Sequence, residues 1–547
     1  MKNEKMKQSL LIGALTSSFG IFVSKLLGLF YYSPLSSIAG EENMAFYSIV
    51  YTYYDLLLQI SQAGIPFALA AMVAKYSAKD DYKTVLLIKK MGTSIVMGLA
   101  IFISLILVLI AGPLARQSLG ISAPIEDINN LKMMFYILTL SVIIVPLLSA
   151  IRGYIQGLKR LDIYASSQVL EQFIRVFSII AFAYLFVKVL NFKSIYAIFV
   201  AIAAAALGAI FSLIYTKYFA KDDEKRVIEL AKQQDYDASS TEKEIIKEIL
   251  TLGIPYVLIS FLGTAGPLVN TTFFLDYMSK VNGPQIYDSA KLSAGILQAN
   301  IAKISNIPSV LALGFGSGMV PYLSESLEKR DSKKITIQIN QILDTVTFIL
   351  LPIIAIFVFF AKDIYFIMYG NTNLQLGANL FAVSNIQIFL GTIAPILSSI
   401  MMSLKLRKEA IFTLVLSFII KFITFFPMVK LTGSYGMIYS SGFYYLAQIL
   451  LYFYFLYKMF NINIKATSRR FIFILIASLI MVIPAYFIHQ LIGFDYTSRI
   501  KDILLMSGLG ILMLFIYYYV TVYFGLPQKI FNIKDISIKK LIKRLRS

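Results

Sequence analysis

The sequence predicts an all-α polytopic membrane protein with about fourteen transmembrane helices. Three observations lead to this fold class. Long, continuous apolar runs fill the chain, and lysine and arginine concentrate in every second loop between them. Hydrophobic residues make up 58% of the 547 residues and charged residues only 15%. Both fractions lie well away from the norms of soluble proteins.

Each apolar run is about 20 residues or longer, the length a helix needs to cross about 30 Å of hydrocarbon. Strands are not expected, because the runs are continuous rather than alternating. Within a few residues at each end, we expect spans at 9–32, 45–74, 91–111, 132–156, 164–188, 194–219, 249–275, 290–322, 336–361, 375–404, 410–429, 435–457, 471–492 and 502–524.

The basic loops predict the orientation of the chain. Cytoplasmic loops keep their positive charge on the inside during insertion, so both termini are expected to be cytoplasmic. The basic segments are the N terminus, Lys75 to Lys90, Lys159–Arg160, Lys217 to Lys247, Lys329 to Lys334, Lys405 to Lys408, Lys458 to Arg470 and the C-terminal tail.

Span order also predicts the domain organisation. Spans 1–6 and 7–12 both start in the cytoplasm, so two six-helix lobes would form a parallel pseudo-repeat. We expect an N-lobe at 1–219, a cytoplasmic linker at 220–248 with a short amphipathic helix, and a C-lobe at 249–457. Residues 458–524 hold helices 13 and 14, and 525–547 form a basic cytoplasmic tail. Because the chain has no tryptophan, tyrosines at span ends, such as Tyr31–Tyr32 and Tyr51 to Tyr54, are expected to form the interfacial belt.

Composition excludes several classes of function. The net charge of +20 is accounted for by cytoplasmic loops beside anionic headgroups, so no nucleic-acid partner is expected. The chain has no cysteine, which excludes thiol catalysis and thiolate metal sites, and the single histidine, His489, excludes a multi-histidine site. No G-K-[ST] phosphate-binding loop is present. We therefore expect a transporter that is not an enzyme and has no cofactor, with a coupling cation or the membrane potential left open.

Charged residues inside the predicted spans are the candidate functional residues, since a charge at mid-bilayer costs about 2.5–3.5 kcal/mol and faces a cavity or a partner. Glu171 and Arg175 are spaced i, i+4, which predicts an ion pair within one helix. Arg152, near a cytoplasmic helix end, is either a loop anchor or a gate. Lys421 pairs with Asp344 or lines the second lobe, and Asp344 is alternatively a cation ligand.

Four stretches resemble the MurJ/SpoVB branch of the polysaccharide-flippase group, which belongs to the superfamily that also contains the MATE exporters. The most specific joins spans 4 and 5 with the patterns R-G-x-x-Q-G and S-Q-x-x-E-Q-x-x-R, in Ile151 to Val176. The others are Ser24 to Gly28 (SKLLG), Gln62 to Tyr76 (QAGIPFALAAMVAKY) and Asn306 to Ser324 (NIPSVLALGFGSGMVPYLS). With fourteen predicted spans in this order, the resemblance extends over essentially the whole chain.

The resemblance implies a flippase for a lipid-linked oligosaccharide diphosphate, typically lipid II, which works by alternating access. It also implies a central cavity lined by basic residues on helices 1, 2 and 8. Lys25 and Lys303 match two of those helices, with Asn300 as the rival position for Lys303. Helix 2 instead carries Asp55 and Gln59. Lys25 would bind the diphosphate or, alternatively, reach the outer interface.

Other functions remain open at this stage. The chain could move another undecaprenyl-linked unit, such as a capsule, teichoic or spore polymer. A MATE-type drug exporter would need a carboxylate-rich cavity and about twelve helices. A non-transporting scaffold would instead recruit wall-synthesis enzymes. We expect a monomer surrounded by membrane lipids.

Overall fold

The computed structural model describes residue 28 and residues 31–62, 64–309, 323 and 326–531. Every regular element in this part of the chain is helical, which confirms the all-α fold class. Ten of the described helices are long and apolar enough to cross a membrane. The number fourteen stays a prediction, because the predicted span 9–32 and part of the span 290–322 lie outside the described residues.

The chain divides into two compact units, Met1–Asn300 and Ile301–Ser547. The predicted N-lobe and C-lobe rest on a repeat in the order of the spans, whereas these two units are separated by how densely their residues contact one another. The two-lobe organisation therefore stays a prediction. The first unit contains α1 (Tyr32–Ala39), α2 (Met44–Gln62), α3 (Ile65–Ser77), α4 (Tyr82–Leu119), α5 (Ile125–Gly157), α6 (Leu161–Tyr184), α7 (Tyr196–Phe219), α8 (Lys221–Gln233), α9 (Glu242–Asn282) and α10 (Tyr287–Gly295).

The second unit is also built from helices packed around buried aliphatic side chains of α11, α13 and α15. Its helices are α11 (Ser332–Phe359), α12 (Ala361–Tyr369), α13 (Leu374–Ser403), α14 (Arg407–Thr432), α15 (Tyr435–Phe460), α16 (Lys465–Ile492), α17 (Arg499–Tyr523) and α18 (Leu526–Phe531).

The predicted span 45–74 is wrong as a single helix, because it consists of α2 and α3. Gly64 lies at the break, and a Cβ added there would be 2.2 Å from the backbone oxygen of Gly253 in α9. Pro66 lies in the first turn of α3, where a missing N–H costs no helical hydrogen bond. The close approach of α9 therefore requires a residue without a side chain at the break, and hydropathy alone does not report the break.

The amphipathic helix predicted within residues 220–248 is confirmed as α8, whereas the cytoplasmic location of this segment stays a prediction. Its buried residues are Val227 and Ala231, and Glu224 forms an ion pair with Lys89 of α4. The linker also reaches Asp81, the N-cap of α4, through Ser239.

The Asp81 carboxylate stabilises the start of α4. Burial alone would raise its pKa, but hydrogen bonds from Ser239 and Thr84 outweigh burial and lower the pKa to about 2. A carboxylate with a lowered pKa stabilises the fold above its ordinary pKa of 3.8 and loses that contribution as pH falls toward 2. This cap is therefore intact throughout the physiological range.

The glycines of the R-G-x-x-Q-G motif allow α5 to pack directly on α3. A Cβ at Gly153 would lie 2.5 Å from the backbone oxygen of Pro66, and one at Gly157 would lie 2.6 Å from Cβ of Val73. Neither distance is possible without movement of a neighbouring element. The two glycines of the motif lie one turn apart on the same face of α5. The motif therefore serves the close packing of α5 on α3.

We expect Gly153→Ala to destabilise the protein by about 1–3 kcal/mol, because the new methyl group meets backbone rather than a flexible side chain. The matched control is Gly98→Ala in α4, where nothing lies within 4 Å of the added Cβ. Alanine favours the helix there, so the control should unfold at the same temperature as the parent protein or higher. Thermal unfolding of the purified variants measures both, and equal melting temperatures would contradict the packing account.

Candidate functional site

Arg152 joins three helices of the first unit through its guanidinium group. Its Nη1 donates to Glu171 Oε2 at 2.7 Å and its Nε donates to Ser167 Oγ at 2.8 Å, both on α6. Its Nη2 donates to Ser212 Oγ of α7 at 2.9 Å. Arg152 and Glu171 are both at least nine-tenths buried. The guanidinium fork therefore fixes α5, α6 and α7 at one point, which we call the three-helix clamp.

The predicted ion pair between Glu171 and Arg175 is wrong in its partner, because the carboxylate of Glu171 binds Arg152. The i, i+4 spacing considers only one helix, whereas a buried carboxylate binds the donor with the best geometry on any neighbouring helix. Ser167 and Glu171 are motif positions of the S-Q-x-x-E-Q-x-x-R pattern, and Arg152 begins the R-G-x-x-Q-G pattern. The most specific sequence motif thus encodes this clamp, and Ser212 of α7 completes it.

Arg175 lies among tyrosines instead of beside a carboxylate. Its guanidinium carbon is 5.5 Å from the ring centroid of Tyr51 and 5.7 Å from that of Tyr54, within the range of cation–π attraction. Tyr47 stacks on Tyr51 with 5.5 Å between the ring centroids. The hydroxyl oxygen of Tyr31 lies 2.8 Å from that of Tyr47.

The expected interfacial belt is therefore wrong for this group of tyrosines. Tyr31, Tyr32 and Tyr54 are almost fully buried and Tyr51 is half-buried. A belt tyrosine would keep its hydroxyl at the water boundary, whereas these rings pack around one another and around Arg175. Hydropathy places a tyrosine at a helix end but does not report the face on which it lies.

The charged residues predicted in the second unit have separate partners. Asp344 of α11 forms an ion pair with Arg470 of α16, so the predicted alternative of a pair with Lys421 is wrong. Lys421 of α14 is fully buried, and its Nζ donates to Ser440 Oγ at 2.7 Å and Ser441 Oγ at 2.9 Å. Both serines lie on α15, so the ammonium group joins α14 to α15 through hydroxyl acceptors.

The predicted substrate-binding residues are placed as follows. Asp55 on α2 is exposed and Lys303, in the helical residues 302–309, is half-buried. Asn300 is fully buried, and its Nδ2 donates to Glu41 Oε1 at 3.3 Å. Lys25 and the side chain of Gln59 lie outside what the structure describes. Their predicted roles stay predictions.

The sequence identifies the buried charged residues, but it does not identify the residues on other helices that bind them. Arg470 was assigned to a basic loop, and Ser212, Ser440 and Ser441 carried no signal because serine is common in apolar helices. The i, i+4 rule cannot find partners on other helices. Within the described ranges, no three His, Cys, Asp or Glu side chains are arranged to hold a metal ion.

Comparison with known proteins identifies the family. The model for "Polysaccharide biosynthesis protein" matches residues 10–327, more than half of the chain. The chain belongs to this family. The match confirms the resemblance to the polysaccharide-flippase group, and together with the apolar helices it makes this chain a multi-pass protein of the cell membrane.

Two relatives each match two thirds of the chain or more. Lipid II flippase MurJ of Bacillus subtilis (strain 168) is 28% identical over 499 residues, which cover 89% of this chain and 90% of the relative. Stage V sporulation protein B of the same organism is 24% identical over 373 residues, or 67% of this chain and 68% of the relative.

Solved structures show the same fold. A structure of lipid II flippase MurJ in an inward closed conformation aligns with a TM-score of 0.64 at 17% identity, covering 93% of this chain and 98% of that one. An inward-facing MATE-family multidrug transporter also gives 0.64, at 14% identity, covering 82% of this chain and 96% of that one. Both comparisons show that this chain has the same fold as these two structures.

Removing the carboxylate of the three-helix clamp should destabilise the protein strongly. In Glu171→Gln the buried guanidinium of Arg152 loses its counter-charge, which costs about 3–5 kcal/mol. The control is Glu126→Gln, which breaks the exposed 2.8 Å pair with Lys193 and should leave the melting temperature unchanged, since water screens such pairs. Unfolding followed by fluorescence distinguishes the two, and similar losses in both variants would refute the clamp.

Proposed function

We propose that this protein is a secondary transporter that moves lipid II from the cytoplasmic to the outer leaflet by alternating access, for peptidoglycan synthesis. The observation that carries the proposal is the similarity to lipid II flippase MurJ over 89% of the chain. The chain also shares its fold with a MurJ structure over 93% of its length, which is consistent with the same activity. These relatives are named as flippases and transporters, and we infer that this chain is not an enzyme.

The chemistry of such a substrate explains why cations are needed within the spans. A diphosphate and its sugar head cannot cross hydrocarbon unaided, because the charges would lose their hydration. Lysine ammonium groups can replace that hydration as compact donors to phosphate, while the apolar tail remains in lipid. We assign this role to Lys25 and Lys303, with Asn300, Asp55 and Gln59 contacting the polar head.

The remaining parts of the proposal concern the setting of the transporter. We place both termini in the cytoplasm, because the basic segments alternate along the chain. We further propose a monomer that acts without a cofactor, with a coupling cation or the membrane potential supplying the driving force. Enzymes of wall synthesis that use lipid II on the outer face are the expected functional partners.

A second candidate function has an observation of its own. Stage V sporulation protein B matches 67% of the chain at 24% identity, so a lipid-linked unit used in spore formation is the alternative substrate. It has the same diphosphate chemistry and would require the same lysines. The two candidates therefore differ in the sugar head and not in the cation requirement.

Complementation tests the substrate. Cells depleted of their own lipid II flippase should grow when this chain is expressed, and lipid II on the outer face should return to normal. Failure of a chain that is present in the membrane would contradict lipid II as the substrate and favour the spore-polymer alternative.

Complementation with point variants tests the role of the lysines. Lys25→Ala and Lys303→Ala should each lower externally accessible lipid II by about tenfold or more, since loss of a desolvated charge–phosphate contact costs about 1.5–3 kcal/mol. Lys25→Arg and Lys303→Arg should keep partial activity, because the charge remains. Lys193→Ala, at an exposed lysine, is the matched control. Normal lipid II transport by both alanine variants, at equal membrane abundance, would refute the assignment.

A further inference from the structure

A cleft lies between the ends of α3 and α5 and the amphipathic helix α8. Its volume is about 260 Å³, and its lining includes Leu158, Lys159, Arg226, Val227 and Leu230. We call it the basic cleft. One water molecule takes up about 30 Å³ of the liquid, and drug-sized ligands need about 300–1,000 Å³. The basic cleft therefore has the size for a small headgroup that is partly polar and partly apolar.

The charges at the basic cleft favour an anion with a single charge. Lys159 and Arg226 are both exposed, and within the described ranges no carboxylate forms an ion pair with either of them. Asp223 also lines the cleft, but its carboxylate is bound to Arg160. Arg160 binds Asp162 as well, at 2.8 Å. These three cations and two carboxylates have a net charge of +1, which the single negative charge of a phosphodiester would neutralise.

The turn after α5 brings Lys159 to the cleft and caps the helix. Lys159 has a φ of 64°, in the left-handed region that glycine adopts most easily. The backbone N–H groups of Leu158, Lys159 and Arg160 donate to carbonyl oxygens in the last turn of α5. Because these carbonyls are hydrogen-bonded, the negative end of the helix repels an anion less.

Exposed aromatic residues indicate that the basic cleft lies at the depth of lipid headgroups. Tyr218 and Phe219, the last residues of the apolar helix α7, are 73% and 51% exposed. Exposed aromatic rings at the end of a membrane-spanning helix are typical of the interface between hydrocarbon and water. Because α8 begins at Lys221, Arg226 is within two helical turns, or about 10 Å, of Phe219. The cleft is therefore within reach of the phosphate groups of the adjoining leaflet.

We propose that the basic cleft binds the phosphate group of an anionic phospholipid from this leaflet. Arg226 and Lys159 donate to the phosphate oxygens, since guanidinium and ammonium groups are the usual cationic donors to phosphate. The aliphatic lining of Leu158, Val227 and Leu230 contacts the glycerol part of the lipid. Inorganic phosphate has the same charged group but would leave this lining without a partner. None of the residues assigned above to lipid II binding lines the cleft, so the lipid site does not depend on the proposed function.

Thermal unfolding of the full-length protein in a neutral detergent tests the site. Phosphatidylglycerol added to the micelles should raise the melting temperature by about 2 °C or more through binding to the native state, whereas phosphatidylcholine should not. The double variant Lys159→Gly/Arg226→Gln should lose this rise. It should still fold, because glycine suits the left-handed turn and Arg226 is exposed. The matched control is Lys232→Gln/Lys243→Gln, which removes two exposed lysines that do not line the cleft and should keep the rise.

Inorganic phosphate distinguishes the lipid from a soluble source of the same chemical group. Added without lipid at constant ionic strength, it should leave the melting temperature of the parent protein unchanged. A rise with inorganic phosphate that equals the rise with phosphatidylglycerol, and that the double variant loses, would overturn the assignment to a lipid. Equal rises with phosphatidylglycerol in the parent and the double variant, or no rise in either, would overturn the site itself.

Native mass spectrometry provides a second measurement that does not depend on thermal stability. The proteins are released from micelles that contain equal amounts of phosphatidylglycerol and phosphatidylcholine. The parent protein and the lysine control should each retain at least one more molecule of phosphatidylglycerol than the double variant does. Equal numbers of retained phosphatidylglycerol molecules in all three proteins would overturn the proposal.

Discussion

The first unit depends on the buried ion pair between Arg152 and Glu171. Its geometry is the reason that α5, α6 and α7 meet at one point, since the same guanidinium group also binds Ser167 and Ser212. A buried pair contributes little net stability compared with apolar packing, but loss of one partner is expensive. The pair therefore specifies the arrangement of the helices more than it stabilises them, and the glycines beside Arg152 allow the close approach of α3 that the same arrangement requires.

Hydropathy and charge predict the elements of this fold well, because helix length and the positive-inside bias are local properties of the chain. They predicted α8 in the linker and the membrane class. They did not predict the break at Gly64, where the backbone of Gly253 in α9 approaches too closely for a side chain. They also failed for Glu171, Asp344 and the tyrosines near Arg175, since each of these depends on a neighbouring helix that sequence spacing cannot identify.

Buried cations in the described residues are stabilised in three different ways. Arg152 has a carboxylate, Lys421 has the hydroxyls of Ser440 and Ser441, and Arg175 has tyrosine rings with one donor left over. Candidate transport residues cannot be chosen by depth in the span alone. The clamp accounts for Arg152 and Glu171 as structural residues. This moves the search for substrate-binding cations to Lys25 and Lys303.

Transport of lipid II across a bilayer by this chain itself is the part of the proposed function on which the rest depends. Purified protein in lipid vesicles loaded with labelled lipid II tests it most directly, with the label on the outer leaflet quenched by an impermeant reagent. The inner-leaflet fraction should become accessible when the protein and an imposed ion gradient or potential are present, and should stay protected in empty vesicles. Continued protection under every gradient, with folded protein in the vesicles, would contradict it.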